Sequence, residues 1–397
     1  MKINSKNINL SIFFIGTILS IYLLFFHDNK IVSDSLLEVE KEEIQNDESV
    51  TYFGCNTEKM KWKGHLKYGT GPFYELNVIE STTDLKELIP KKDFITILKI
   101  DSQNLKELPE DLFLFSNLKA LDISDNPFTD LEKLMENLTK FPKLELLAMS
   151  HCGIVKLPDN ISLLKGLLGL SLDQNIEMVE VNENIGKLIR LRYISFRRNK
   201  KLKDLPKSIG NLKCLEQINI SGAGFTRIRE ELSLCTNLKD ITANASRIKD
   251  LPDGIGKLKN LKKLNLAANK IEIIPESIGE LDQLVDLSLG TNDISKLPES
   301  ISKLDKLYSL SLELNRFKEF PFEVLGLKYL RYLNLHNNSF KEIPLDVSDL
   351  TNLIRVYVDH EIISDQNIDS LRLRNPSLEV ERHDALRLAP GDPKRKN

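Results

Sequence analysis

From Leu105 onward the chain writes one pattern of apolar and polar positions again and again. Units begin at Leu105, Phe128, Ile154, Met178, Leu202, Phe225, Ile248, Ile271, Ile294, Phe317 and Phe340, spaced by 23, 26, 24 and 24 residues and then by 23 six times. Counting each start as zero, apolar side chains recur at +3, +7, +10, +13, +16 and +18; in one unit these are Leu297, Ile301, Leu304, Leu307, Leu310 and Leu312. Offsets +16 and +18 alternate, which predicts a short strand with Leu310 and Leu312 on one side and Ser309 and Ser311 on the other. Offsets +3, +7 and +10 keep a helix-like spacing of three to four, so this half of the unit turns back along the opposite face. Proline at +4, as in Pro252, Pro275 and Pro298, has no amide donor and suits an irregular turn rather than a strand centre.

Each unit is therefore one coil of a solenoid. The aliphatics of a single coil cannot offset the entropy of ordering its backbone, whereas stacked coils bury both sides and pair their strands. Asparagine at +21, as in Asn126, Asn175, Asn199, Asn269, Asn292, Asn315 and Asn338, stands where the chain leaves the strand and its backbone polar groups need partners. An amide side chain both donates and accepts, so it can serve two adjacent coils. Cys152, Ala223 and Ser246 interrupt this ladder.

The grid LxxLPxxIxxLxxLxxLxLxxN, clearest in IKDLPDGIGKLKNLKKLNLAANK, resembles the leucine-rich repeat family in its 23-residue form. That form is known from plant Ras-group proteins, scribble-like and Ras-pathway scaffolds, and bacterial surface proteins. The resemblance covers about residues 82–380, some eleven repeats plus caps. It implies an α/β solenoid, a horseshoe with a concave parallel β-sheet, short helical or irregular segments outside, and protein partners bound on the concave face. Two units depart from the grid: FTRIREELSLCTNLKDITANASR, without its proline and with Ala243 at +18, and the 26-residue unit from Phe128.

The N-terminus follows another rule. Lys2 and Lys6 precede an uncharged run from Leu10 to Phe26, a little short of the ~20 residues that span a bilayer. Phe25, Phe26 and His27 stand where a signal peptidase needs small residues, which favours an uncleaved anchor; a cleaved export signal is the alternative. Basic residues before the run and acids after it place the repeats outside the cytoplasm. The expected organisation is a signal anchor or signal peptide at 1–30, an acidic linker at 31–50, an N-terminal cap at 51–81 holding Trp62, the array at 82–380 and a disordered tail at 381–397.

Composition narrows the function. With 55 basic and 58 acidic residues the net charge is -3, which gives no basic excess for nucleic acid. Cys55, Cys152, Cys214 and Cys235 show no zinc spacing, and a disulfide framework is not expected. No nucleophile or phosphate-loop motif occurs, and no cofactor or metal is called for. The expectation is a monomeric, non-enzymatic scaffold, tethered through residues 10–26 or exported, binding a protein partner; the alternative is an adhesion protein recognising glycan or matrix.

Exposed strand positions are +15, +17, +19 and +20, and small polar residues fill most of the +17 column. Two groups break that plainness: Tyr193, Arg197 and Arg198, and then Tyr332, His336, Arg355, Tyr357 and His360. Tyrosine and arginine are the residues that most often anchor interfaces, so both groups are candidate partner-binding residues. Column +19 sets Glu313, His336 and Asp359 on successive strands. Such a ladder either holds a metal or a carboxylate–imidazole pair, or is a surface charge ladder of small value.

Overall fold

Each coil contributes a short strand, three residues long except for the last two of five, whose neighbours are the same positions of the coils before and after. A computed structural model describes residues 85–359 and 363–383. The strands are β1 (Ile97–Lys99), β2 (Ala120–Asp122), β3 (Leu146–Ala148), β4 (Gly169–Ser171), β5 (Tyr193–Ser195), β6 (Gln217–Asn219), β7 (Asp240–Thr242), β8 (Lys263–Asn265), β9 (Asp286–Ser288), β10 (Ser309–Ser311), β11 (Tyr332–Asn334), β12 (Arg355–Asp359) and β13 (Glu379–His383). They form one sheet in sequence order, and the pairings are parallel, with Leu287, Leu310 and Leu333 as successive Cα partners. The α/β solenoid with its parallel sheet is thus the observed architecture. The expected N-terminal hydrophobic helix, acidic linker, cap and His360 lie outside the described residues. Strand β13 runs to His383, so the closing segment extends past the expected boundary at 380.

Apolar periodicity explains the backbone more closely than a helix-like spacing does. In one coil the Ile278 amide donates to the Pro275 carbonyl at 3.0 Å, Leu281 to Ile278 at 3.2 Å and Leu284 to Leu281 at 2.9 Å. These i→i+3 bonds make 3₁₀ turns, in which residues three apart eclipse. Offsets +4, +7, +10 and +13 therefore fall on one side, and Ile278, Leu281, Leu284, Leu287 and Leu289 are all essentially buried. Proline at +4 supplies the extended residue that opens most of the turns, Pro275 having φ -69° and ψ 150°. Units without it keep the same shape where a turn forms: Asn182 takes φ -64° and ψ 144°, and Arg229 takes φ -72° and ψ 141° and pairs with Asp204, its Nε 3.0 Å from Oδ1. In the 26-residue unit the extra residues build helix α1 (Leu131–Leu138), whose first turn is capped by the Asp130 carboxylate accepting from the Lys133 amide at 2.9 Å. A second helix, α2 (Asp365–Arg374), covers the core before β13.

The asparagine ladder does what its chemistry requires. Asn292 Nδ2 donates to the carbonyls of Leu266 at 3.0 Å and Leu289 at 2.9 Å, and its Oδ1 accepts from the Ile271 amide at 3.0 Å. Asn315 and Asn269 repeat the arrangement. At the gaps, Ser246 Oγ donates to Ile220 O at 3.1 Å, and the Cys152 thiol faces Ile123 O at 3.4 Å. A second ladder appears at +12, where Asn117, Asn237, Asn260 and Asn352 each donate to a carbonyl of the preceding coil. Just before the +21 asparagines, Thr291, Leu314 and Asn337 adopt φ of 57°, 54° and 54°, a left-handed conformation costly for any side chain and most of all for threonine.

Cys152 and Cys235 are free, buried thiols, their pKa values pushed up to about 11 and about 12 by burial. Cys214, by contrast, is disulfide-bonded; the free, buried Cys152 and Cys235 agree with the expectation of no disulfide framework.

Replacing Asn292 with alanine removes four hydrogen bonds at once; the Leu266, Leu289 and Gly290 carbonyls each keep one donor, from Asn269, Asn315 and the Ala268 amide, but the buried Ile271 amide loses its acceptor. A loss of about 2 to 4 kcal/mol is expected, measured as a lower urea midpoint. Thr291→Asn should instead stabilise the array by about 0.5 to 1 kcal/mol by relieving the left-handed strain; a lower midpoint for this variant would contradict the reading of that column.

Candidate interaction site on the sheet face

The register turns the outward strand positions into columns. Offset +15 reads Tyr193, Gln217, Asp240, Lys263, Asp286, Ser309, Tyr332 and Arg355 along β5 to β12, and +17 reads Ser195 through Tyr357. The two ends of this face differ in access. Leu146, Ala148, Ser171, Tyr193 and Ser195 are buried, whereas Ser309, Ser311, Tyr332, Asn334, Arg355 and Tyr357 keep intermediate exposure.

Of the first predicted group, Tyr193 is only 8% exposed, and its hydroxyl pKa is raised by burial and further by Asp173. Arg197 is committed to Asp173: its Nε lies 3.1 Å from Oδ2, and its amide donates to Oδ1 at 2.9 Å. Ser195 Oγ donates to the same carboxylate. Arg198 is exposed but occupies the left-handed position, at φ 62°, beyond the strand. The three do not form one open anchor.

The second group is brought together. Tyr332 and Arg355 are Cα partners, as are Asn334 and Tyr357. The Arg355 guanidinium lies 5.9 Å from the Tyr357 ring centroid, and its Nε is 2.8 Å from Glu379 and 2.9 Å from Glu381. Tyr332 packs on Tyr308 with centroids 5.5 Å apart, and the Arg331 guanidinium stacks over Tyr308 at 5.2 Å. Tyr308 and Arg331 occupy offset +14, a position outside the columns read from the sequence. Their shared offset was the available signal, because equal offsets on neighbouring coils are spatial neighbours.

His336 does not project with the tyrosines. It is buried, with Nε2 3.6 Å from Asp359 Oδ1, and Asp359 also accepts the Asn337 amide at 2.9 Å. Glu313 is buried too; its carboxyl pKa is raised by burial, Ser311 Oγ donates to it, and it leans over Gly290, where any Cβ would run into it. Glu313 thus leans toward β9 while His336 pairs with β12. Among the described residues no three metal-ligating side chains are grouped to hold an ion. In the middle of the face Asp240, Lys263 and Asp286 are successive Cα partners. Burial pushes the Asp286 carboxyl up to about 6, with Lys263 opposing and Asp240 adding to the shift.

These coils are leucine-rich repeats: family models described as "Leucine-rich repeat region" and "Leucine Rich Repeat" match residues 178–268, and 260–281 and 329–350. The chain thus carries leucine-rich repeats. An internalin from Listeria monocytogenes shares the fold with a TM-score of 0.60 and 22% identity, over 74% of this chain and 88% of that one. A protein of Arabidopsis thaliana named for disease resistance is 26% identical over 200 residues, 50% of this chain and 16% of the relative. A protein named adenylate cyclase from Schizosaccharomyces pombe is 30% identical over 152 residues, 37% of this chain and 9% of the relative. The chain therefore spans less than a fifth of these curated relatives.

Because the folded pKa of Asp286 lies above its usual 3.8, the folded chain holds this proton longer than the unfolded one. Its contribution to stability is present below pH 3.8 and is lost as pH rises through about 6. Asp286→Asn should consequently melt higher than the parent at pH 7 and nearly alike at about pH 3.5. A variant less stable at pH 7 would show that Lys263 outweighs burial.

Proposed function

We propose that this protein is a non-enzymatic scaffold that binds a protein partner on the concave sheet face, with Tyr332, Arg355 and Tyr357 as anchors. One observation carries the reading: these side chains share the half-exposed C-terminal part of the sheet, in register and packed on one another. Aromatic rings lose little entropy on binding, and tyrosine and arginine together dominate interface energetics. His336 acts from below, holding Asp359 rather than touching the partner. Elsewhere on the face the acids are spent on lysine, arginine, hydroxyl or backbone partners, an arrangement that supports binding over catalysis. The Ser288, Ser311 and Asn334 floor offers neutral hydrogen-bonding groups, the feature that favours glycan or matrix adhesion as the second reading.

The array is read as lying outside the cytoplasm, tethered or exported through residues 10–26. The apolar run, the basic residues before it and the acids after it support this. Among the described residues no helix is long and apolar enough to cross a membrane, so the placement rests on the sequence of that run. Deleting residues 1–26 should move the protein from the membrane fraction to the soluble one without changing its melting temperature.

Crosslinking on intact cells, followed by purification and mass spectrometry, tests the partner reading. The parent chain should enrich one protein that the Tyr332→Ala/Arg355→Ala/Tyr357→Ala variant loses, with the variant's circular dichroism unchanged. Capture that is indifferent to the triple change would exclude this patch.

A further inference from the structure

Resting on that reading, we infer that the partner presents an acidic peptide segment and that Arg331, stacked on Tyr308, is the group that receives its carboxylate. Four observations meet here. Arg331 is exposed, and among the described residues its side chain contacts the Tyr308 ring but no carboxylate. Arg355, one strand further on, is already neutralised by Glu379 and Glu381. The Arg331 amide donates to the Tyr308 carbonyl at 2.9 Å, so the backbone fixes the two side chains on adjacent coils. Tyr308 is itself 7% exposed and braced by Tyr332, giving the stacked guanidinium a firm support.

The chemistry follows from the geometry. A guanidinium lying on an aromatic ring keeps its in-plane N–H groups available, and that fork matches a carboxylate bidentately. Stacking also restricts the long side chain beforehand, so less freedom is lost on binding. Next to it, on the turn side of the strands, Lys306 and Lys328 are exposed and meet no carboxylate among the described residues, and Lys306 contacts Gln283 instead. Asp305 and, one coil earlier, Asp282 are the acids at these offsets, set against Lys306, Lys328 and Arg331, which leaves this rim with an excess of positive charge. Tyr329, 59% exposed beside them, adds an apolar contact for the flanking residues of the segment. The uncompensated charge favours an acidic segment, and the tyrosines favour a peptide with apolar side chains over a bare anion.

The test uses the full-length chain as bait for a displayed library of random twelve-residue peptides. Selected peptides should be enriched in Asp and Glu next to aromatic or aliphatic residues. Arg331→Gln, an exposed change that leaves folding intact by circular dichroism, should weaken a selected synthetic peptide by about tenfold, and Arg331→Lys by less. Raising salt should weaken the parent complex more than the Arg331→Gln complex. Peptides without acidic enrichment, still lost in the Tyr332/Arg355/Tyr357 variant, would overturn the role of Arg331 while keeping a protein-binding face. No peptide enriched, together with retention of an acidic glycan on the same bait, would overturn both. Acidic peptides that bind the Arg331→Gln chain as well as the parent would place the carboxylate elsewhere and also defeat the proposal.

Discussion

Everything in this chain depends on neighbouring coils sharing backbone hydrogen bonds, because a coil of 23 residues leaves more polar groups at its bends than it can satisfy alone. The +21 asparagine is the device that closes this deficit on one side of the strand. Its amide sits below the surface, between coils, where an unpaired carbonyl would be expensive. The conformation that delivers it there is left-handed at the preceding residue, and the array accepts that strain even at Thr291 and Leu314. The limit of the device shows at Asn199, whose Oδ1 is buried without a partner. In that 24-residue stretch the Met178 amide bonds to Asn175 O at 2.8 Å instead of reaching the next asparagine.

On the opposite side the same sharing is achieved by closeness rather than by an amide. The 3₁₀ turns stack so tightly that a Cβ at Gly279 or Gly256 would collide with the carbonyl of Ser300 or Ser277. A 3₁₀ turn is slimmer than an α-helix, so coils joined by such turns can follow the narrow spacing that strand pairing imposes, about 4.8 Å. Helix α1 departs from this inside the array with the three added residues of its unit, and helix α2 departs from it at the closing end.

How much of this could be read from residues alone depends on whether a signal was periodic. Strand register, buried aliphatics and the asparagine ladder all follow from one repeating grid, and the +17 column from Asp122 to Tyr357 is continuous in the pairings. The +12 asparagines recur in fewer units, and their role depends on a carbonyl whose direction no hydropathy pattern reports. Side-chain fates were less legible. Tyr193 and Tyr332 share a column, but one is buried and the other half-exposed, since access depends on what surrounds each ring. Ser311, expected to be a plain surface residue, is instead tied to Glu313. An acidic replacement there would set two carboxylates together.

The contrast between Arg197, Arg355 and Arg331 draws the functional argument to its sharpest point. All three stand on or beside the sheet face, and composition cannot tell them apart. Arg197 has Asp173 and Arg355 has two glutamates, so for each a new anion must compete with a carboxylate already in place. Arg331 has a ring. A cation held by a quadrupole keeps its charge available, because cation–π attraction of about 0.5 to 1 kcal/mol at an exposed position restrains without neutralising. Binding a carboxylate there costs only the desolvation of two exposed groups, whereas at Arg197 it would also break an ion pair made to the neighbouring coil. On this physical ground the repeat's regularity supplies the platform, and Arg331, alone of these three in meeting no acid among the described residues, supplies its chemical preference.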